Sequence, residues 1–118
     1  MSEHDLQKQI VMLLKRVGIL TIETDVMSGL QFLPVNTAAR FRFVAHHKSM
    51  GYVSGQPDLI LVLKDGETLF VELKNGKAGK QSLDQKLFQE RCNRLSHNYV
   101  VWRSYKDALD FIDGYRKI

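Results

Sequence analysis

The chain has 118 residues, 44% of them hydrophobic and 25% charged, with a formal net charge of +4. That balance describes one globular domain, residues 1–118, large enough for a single modest core. No run reaches the ~20 apolar residues that a membrane span needs, and the polar start, with Glu3 and Asp5, is unlike a secretory signal. Cys92, the one cysteine, excludes an intramolecular disulfide, so the expected setting is a reducing cytoplasm. A pI near 9.3 hints at a polyanionic partner without identifying it.

Residues 3–17 read as a helix, with Leu6, Ile10, Leu13, Leu14 and Val17 as an apolar stripe at helical spacing. Ser2 and Asp5 stand at capping-box positions, and Gly18 follows the last turn. Residues 19–26 alternate well enough for a strand. Between 27 and 56 the pattern is poor: "LQFLPV" suits a strand, and "ARFRFVAHHK" suits a strand or loop with basic and aromatic residues interleaved. Two dense apolar runs follow, 59–63 and 69–73, reading as a hairpin. After a lysine- and glycine-rich turn, residues 82–95 look helical, with Leu83, Leu87, Phe88, Cys92 and Leu95 on a narrow stripe. "YVVW", 99–102, is a short buried strand. Ser104 caps a last helix whose Ala108, Leu109, Phe111 and Ile112 face inward, with Asp107 at the capping-box position. The order α-β-(β)-β-β-α-β-α predicts an α/β fold with a mixed central sheet flanked by helices.

The hairpin raises a question, because Asp58, Glu72 and Lys74 sit at the ends of its apolar runs, and burying a carboxylate is costly unless it is paired or bound to a metal. A two-residue turn at Asp65-Gly66 would put Asp58 and Glu72 on opposite faces. A three-residue loop, Lys64-Asp65-Gly66, pairs Leu63 with Glu67 and Asp58 with Glu72, with Gly66 at the left-handed position of a type I turn and G1 bulge. In that register Asp58, Glu72 and Lys74 share one face with Ile60, Val62 and Phe70. Leu59, Leu61, Leu63, Leu69, Val71 and Leu73 share the other and form the core. This register accounts for all the charges together and is the one expected.

Two carboxylates side by side repel, and a divalent cation with a preference for hard oxygen ligands, Mg²⁺ or Mn²⁺, resolves the conflict. Such a cation acidifies water and offsets charge on a phosphate, and Lys74, projecting to the same side, can stabilise a phosphoryl transition state. Phosphodiester hydrolysis fits these parts. The bland alternative is a salt bridge at a sheet edge, with Lys74 paired to Asp58 or Glu72. The ordered spacing, fourteen residues apart on adjacent predicted strands, weighs against it.

Pro57-Asp58 followed by Glu72-Leu73-Lys74 resembles the PD-(D/E)xK nuclease pattern, and in detail the virus-type replication-repair nuclease (VRR-NUC) domain. "G-x-PD-L" is matched by residues 55–59, Glu-x-Lys by Glu72 and Lys74, and the helix-borne glutamine by Gln85, with Ser82 three residues earlier. An early acid with an apolar residue three on is matched by Glu3 and Leu6. The resemblance implies a restriction-endonuclease-like sheet and a Mg²⁺- or Mn²⁺-dependent DNA endonuclease. It implies Asp58, Glu72 and the Leu73 backbone carbonyl as metal ligands, with Lys74 and Gln85 in catalytic support. Glu3 would complete the acids, with Asp5 as its competitor, since an acid in a first turn also suits the helix dipole. Short stand-alone members, found in phages and bacteria, look like homodimeric four-way (Holliday) junction resolvases in DNA repair, and the resemblance implies that this chain belongs with that short type. A flap or repair nuclease of the same family, or a non-catalytic DNA-binding module, are the alternatives.

Arg40, Arg42, His47 and Lys48 form the densest basic stretch before the hairpin and are candidate phosphate contacts, as are Lys77 and Lys80 after it. The alternative for the first group is a solvated strand, with Phe41 and Phe43 on one parity and Arg40 and Arg42 on the other. For the second it is an ordinary soluble loop. His46 and His47 lack a second ligand at zinc spacing. Cys92 and Trp102 read as core.

Overall fold

The computed structural model describes residues 1–117, the side chain of Ser28 excepted. In chain order, α1 (Glu3–Arg16) leads to β1 (Leu20–Glu23), a 3-10 segment (Val26–Phe32) and α2 (Ala38–Ser49). Then come β2 (Leu59–Val62), β3 (Thr68–Leu73), α3 (Leu83–Arg94), β4 (Asn98–Trp102) and α4 (Tyr105–Arg116). The strands form one mixed sheet in the order β1-β2-β3-β4, antiparallel except for the parallel β3–β4 pair. A parallel pair needs a long crossover, and α3 supplies it.

Alternation of side chains assigns the two faces. Leu59, Leu61, Leu69, Val71, Leu73 and Trp102 point to the side covered by α1 and α4, where Leu6, Ile10, Leu14, Ala108 and Ile112 complete the core. The other face carries Ile60, Phe70 and Tyr99, and α3 covers its β3–β4 half through Phe88, whose ring lies 6.2 Å from Phe70 and 6.3 Å from Tyr99. The β1–β2 half of this face keeps Leu20, Ile22 and Val62 exposed.

The hairpin has the expected register. Leu59 pairs with Val71 and Leu61 with Leu69, and Leu63 N–H donates to the Glu67 carbonyl at 2.8 Å, so the ladder extends to Asp58 opposite Glu72. Its turn differs from the expected type I with G1 bulge. Asp65 (φ 59°, ψ 30°) and Gly66 (φ 73°) are both left-handed, and Glu67 N–H donates to the Lys64 carbonyl. This is the hand of a type I′ turn, which matches strand twist better, and Asp tolerates the left-handed region through its short polar side chain.

Other expectations need correction. The bracketed strand is a helix, α2, and "LQFLPV" begins in the 3-10 segment, not a strand. None of the described residues of α2 is buried, so no apolar stripe announces the helix. Thr37 starts it, its Oγ accepting from Arg40 N–H. The expected stripe on α3 divides: Phe88 and Cys92 turn inward, whereas Leu83, Leu87 and Leu95 are exposed. Leu109 on α4 is also largely exposed. Asp107 reaches one residue beyond the expected capping box, accepting from Arg103 N–H at 2.7 Å. Among the described residues no helix is long and apolar enough to cross a membrane.

Candidate active site

Asp58 stands immediately before β2, and its position is tied down from β1. Thr24 N–H donates to the Asp58 carbonyl at 3.0 Å, the Thr24 hydroxyl donates to the Pro57 carbonyl, and Gln56 Nε2 donates to the Thr24 carbonyl at 2.6 Å. Gly55 lets the preceding loop pass against the start of α3. It is left-handed (φ 84°), and a Cβ there would collide with the Asp84 carbonyl and the Gln85 nitrogen. One glycine therefore brings the Asp58 loop and the Gln85 helix together.

Across the ladder, Glu72 is the one charged side chain buried among the described residues, at 1% exposure. Its Oε1 accepts from Gln85 Nε2 at 2.9 Å and lies 3.8 Å from Lys74 Nζ. Gln85 is held in turn by the capping box of α3: its Oε1 accepts from Ser82 N–H at 2.8 Å, and its own N–H donates to Ser82 Oγ. The same side chain thus closes the helix and aims an amide at Glu72. Asp58 Oδ2 accepts from Leu73 N–H at 2.7 Å.

Glu3, in the first turn of α1, comes to the same place. Oxygens of Glu3, Asp58 and Glu72 all lie within 4.8 Å of one another. Asp5, its competitor, is engaged elsewhere, its carboxylate bonded to Ser2 N–H in the α1 capping box. The acids disturb one another's titration. Burial, then the neighbouring Asp58 charge, push the Glu72 carboxyl up to about 9, and burial raises Asp58 and Glu3 as well. Glu72 Oε2 is buried without a donor. Without a cation, a proton on Glu72 shared with Asp58 is the natural filling for that gap.

An all-oxygen set with one orphaned buried oxygen and mutually repelling carboxyls suits a hard divalent cation. Asp58, Glu72 and Glu3 are the side chains able to hold it.

Two features escaped the sequence. Asp25 lies close enough for its charge to raise both Glu3 and Asp58. The signal was present, since antiparallel pairing of β1 with β2 carries the end of β1 to the start of β2. A cleft of about 670 Å³ opens beside the acids, lined by Glu3, Asp25, Gln31 and Asp58 and, along α1, by Lys8 and Lys15. Both lysines are exposed on α1, and no motif in the sequence singles them out.

The expected phosphate contacts are unevenly placed. Arg42 and Lys48 are exposed on α2, and Lys77 and Lys80 on the β3–α3 loop. His47 is half-buried with its ring 4.4 Å from that of Phe43. Arg40 is committed to the protein: its Nε and Nη2 donate to the Leu33 carbonyl at 3.0 and 2.9 Å.

No protein-family model matches the sequence, and no curated protein matches it. Solved structures do. One, described as a VRR_NUC domain, is 24% identical over 96% of this chain and 96% of its own, with a TM-score of 0.66. A second, a VRR_NUC domain protein, is 20% identical over 99% of this chain and 89% of its own, with a TM-score of 0.73. The chain has the VRR-NUC fold. In this VRR-NUC architecture the mixed sheet presents Asp58 and Glu72 on adjacent strands, α1 brings Glu3 and α3 brings Gln85.

Proposed function

We propose that the protein is a metal-dependent endonuclease of the VRR-NUC family that hydrolyses phosphodiester bonds in DNA, acting as a homodimer on four-way junctions. The observation that carries the reading is the meeting of the Glu3, Asp58 and Glu72 carboxylates, one of them holding a buried, donorless oxygen. A Mg²⁺ or Mn²⁺ ion held there, with the Leu73 carbonyl as a further ligand, would polarise a phosphate oxygen and acidify water.

The chain's own groups have separable tasks. Asp58 and Glu72 supply negative charge on one face of the hairpin. Gln85 fixes the rotamer of Glu72 through a bond to Oε1 that leaves Oε2 without a donor. Lys74, half-buried and on the same face, offsets charge accumulating on a phosphate during attack. Lys8 and Lys15 along the cleft, with Arg42, Lys48, Lys77 and Lys80 outside it, offer phosphate contacts that hold the backbone without reading sequence.

A two-fold symmetric junction needs two cuts, and a C2 dimer supplies two sites. The exposed Leu20, Ile22 and Val62 on the half-covered sheet face, beside the free edge of β1, support self-association.

The test uses synthetic four-way junctions, flaps and linear duplex with Mg²⁺ or Mn²⁺. Wild type is expected to place symmetric paired nicks in the junction. Asp58→Ala and Lys74→Ala are expected to abolish them, and Gln85→Ala to slow them about 10- to 100-fold, as outer-shell changes do. Preferential cutting of flaps would reassign the substrate, and binding without cleavage by wild type would reduce the protein to a DNA-binding module.

A further inference from the structure

Between Asp25 and Asp58 the sequence holds no acid, although the chain has 13 in all. Residues 26–57 carry Arg40, Arg42 and Lys48 with two histidines, a net charge of +3 on a protein whose total is +4. This segment is also the least integrated part of the molecule. It comprises the 3-10 turn and α2, which pack on each other, Phe43 covering Gly29, while none of the described α2 residues is buried. Both of its roots are at the acidic cluster. Thr24, before it, is bonded to Gln56 at its end and to Asp58 just after it. Gln31 lines the cleft with Asp58, and the Tyr52 hydroxyl is close enough to Asp25 and Glu72 for their charge to be felt.

On this arm Phe41 is 75% exposed, and Phe32 is 81% exposed. Apolar faces on a small protein ordinarily seek a partner. The charge around them decides which kind. Phe41 is followed by Arg42 and lies a helical repeat from Lys48, and no carboxylate on the arm opposes an anion. A protein partner would need to be acidic and apolar together, whereas nucleic acid with an unpaired base offers a polyanionic backbone and a flat ring. Exposed aromatics beside cations are the means by which proteins hold unpaired bases.

We infer that residues 26–57 form a DNA-binding arm on which Phe41 stacks against an unpaired base next to the cleft, with Arg42 and Lys48 on the flanking phosphates. Discrimination between branched or frayed DNA and continuous duplex then resides in the arm, since duplex bases are already stacked on one another. This deepens the proposed nuclease function and rests on it for the substrate, but binding can be measured without cleavage.

The experiment uses the full chain carrying Asp58→Ala, in EDTA, with single-stranded and four-way-junction DNA containing 2-aminopurine at or near the branch, and a blunt duplex of matched length. Stacking predicts quenching of 2-aminopurine on binding. Phe41→Ala should weaken binding to single strands and junctions by about tenfold or more while changing duplex binding less than twofold. Phe41→Trp should restore both readouts and Phe41→Leu should not, because the ring and not its hydrophobicity is required. Arg42→Ala should weaken all three DNAs alike and flatten the salt dependence. Equal losses by Phe41→Ala on every DNA, or full rescue by leucine, would overturn the stacking role. Conversion of a dimer to a monomer by Phe41→Ala in sedimentation would overturn it in favour of a protein interface. If wild type in Mg²⁺ cuts nothing yet the binding pattern holds, the arm stands and the nuclease reading falls.

Discussion

At the scale of single residues, the site is governed by Glu72. An ionised carboxylate with 1% exposure, one unpartnered oxygen and two acidic neighbours is unfavourable in the metal-free fold, which is why its carboxyl is pushed up to about 9. The folded state therefore holds a proton that the unfolded chain releases near the ordinary value of 4.5. Its contribution to stability is fully present below pH 4.5 and is lost as pH rises toward 9. In EDTA the thermal midpoint is expected to fall between pH 6 and pH 9, and Glu72→Gln, which cannot ionise, should flatten that fall. Added Mg²⁺ or Mn²⁺ should restore the midpoint chiefly at the alkaline end, because the cation replaces the proton. A midpoint in EDTA that is constant or rising over this range would refute the assignment.

At the scale of elements, the site depends on how few contacts align its parts. Gly66 and Asp65 close a three-residue loop that sets the hairpin register, and the register puts Asp58 beside Glu72. Gly55 sets the second alignment, between the Asp58 loop and α3. Gly55→Ala meets both a left-handed backbone and a collision with the α3 backbone, so it is expected to cost ~2 kcal/mol or more in chemical denaturation. Cleavage should fall further than that loss of stability explains, since Gln85 and Asp58 must move apart. Gly66→Ala has open space around it, and its cost should be confined to the ~1 kcal/mol of the left-handed conformation. The left-handed Gly66 and the three-residue loop were legible, because a tight hairpin is a local requirement written in adjacent positions, whereas Gln85 was marked only by the family resemblance and its capping box with Ser82 emerged in the structure. The α2 helix was not legible. Alternation of Phe41 and Phe43 with Arg40 and Arg42 imitated a strand, and a helix that buries nothing shows no 3.6-residue stripe to contradict it.

At the scale of the whole molecule, the sheet is covered fully on one face and half on the other. Leu20, Ile22 and Val62 are the consequence, on a face that ends at the unpaired edge of β1. Ile22→Asp is expected to leave the monomer fold intact, since the side chain is already 45% exposed, and to shift sedimentation from dimer to monomer. Paired junction nicks should become single nicks in the same variant, while an unchanged sedimentation coefficient would place the dimer contact elsewhere.

The sequence by itself determined the α1 stripe, the hairpin register and the pairing of Asp58 with Glu72. Each of these depends on periodicity or turn conformation over a few neighbouring residues. Only the tertiary structure decided that Glu3, rather than Asp5, joins Asp58 and Glu72, that Asp25 lies near them, and that Arg40 spends its guanidinium on the protein. Those outcomes depend on how α1 packs across the sheet and how the 26–57 arm folds on itself, and packing between distant segments leaves no mark on local spacing.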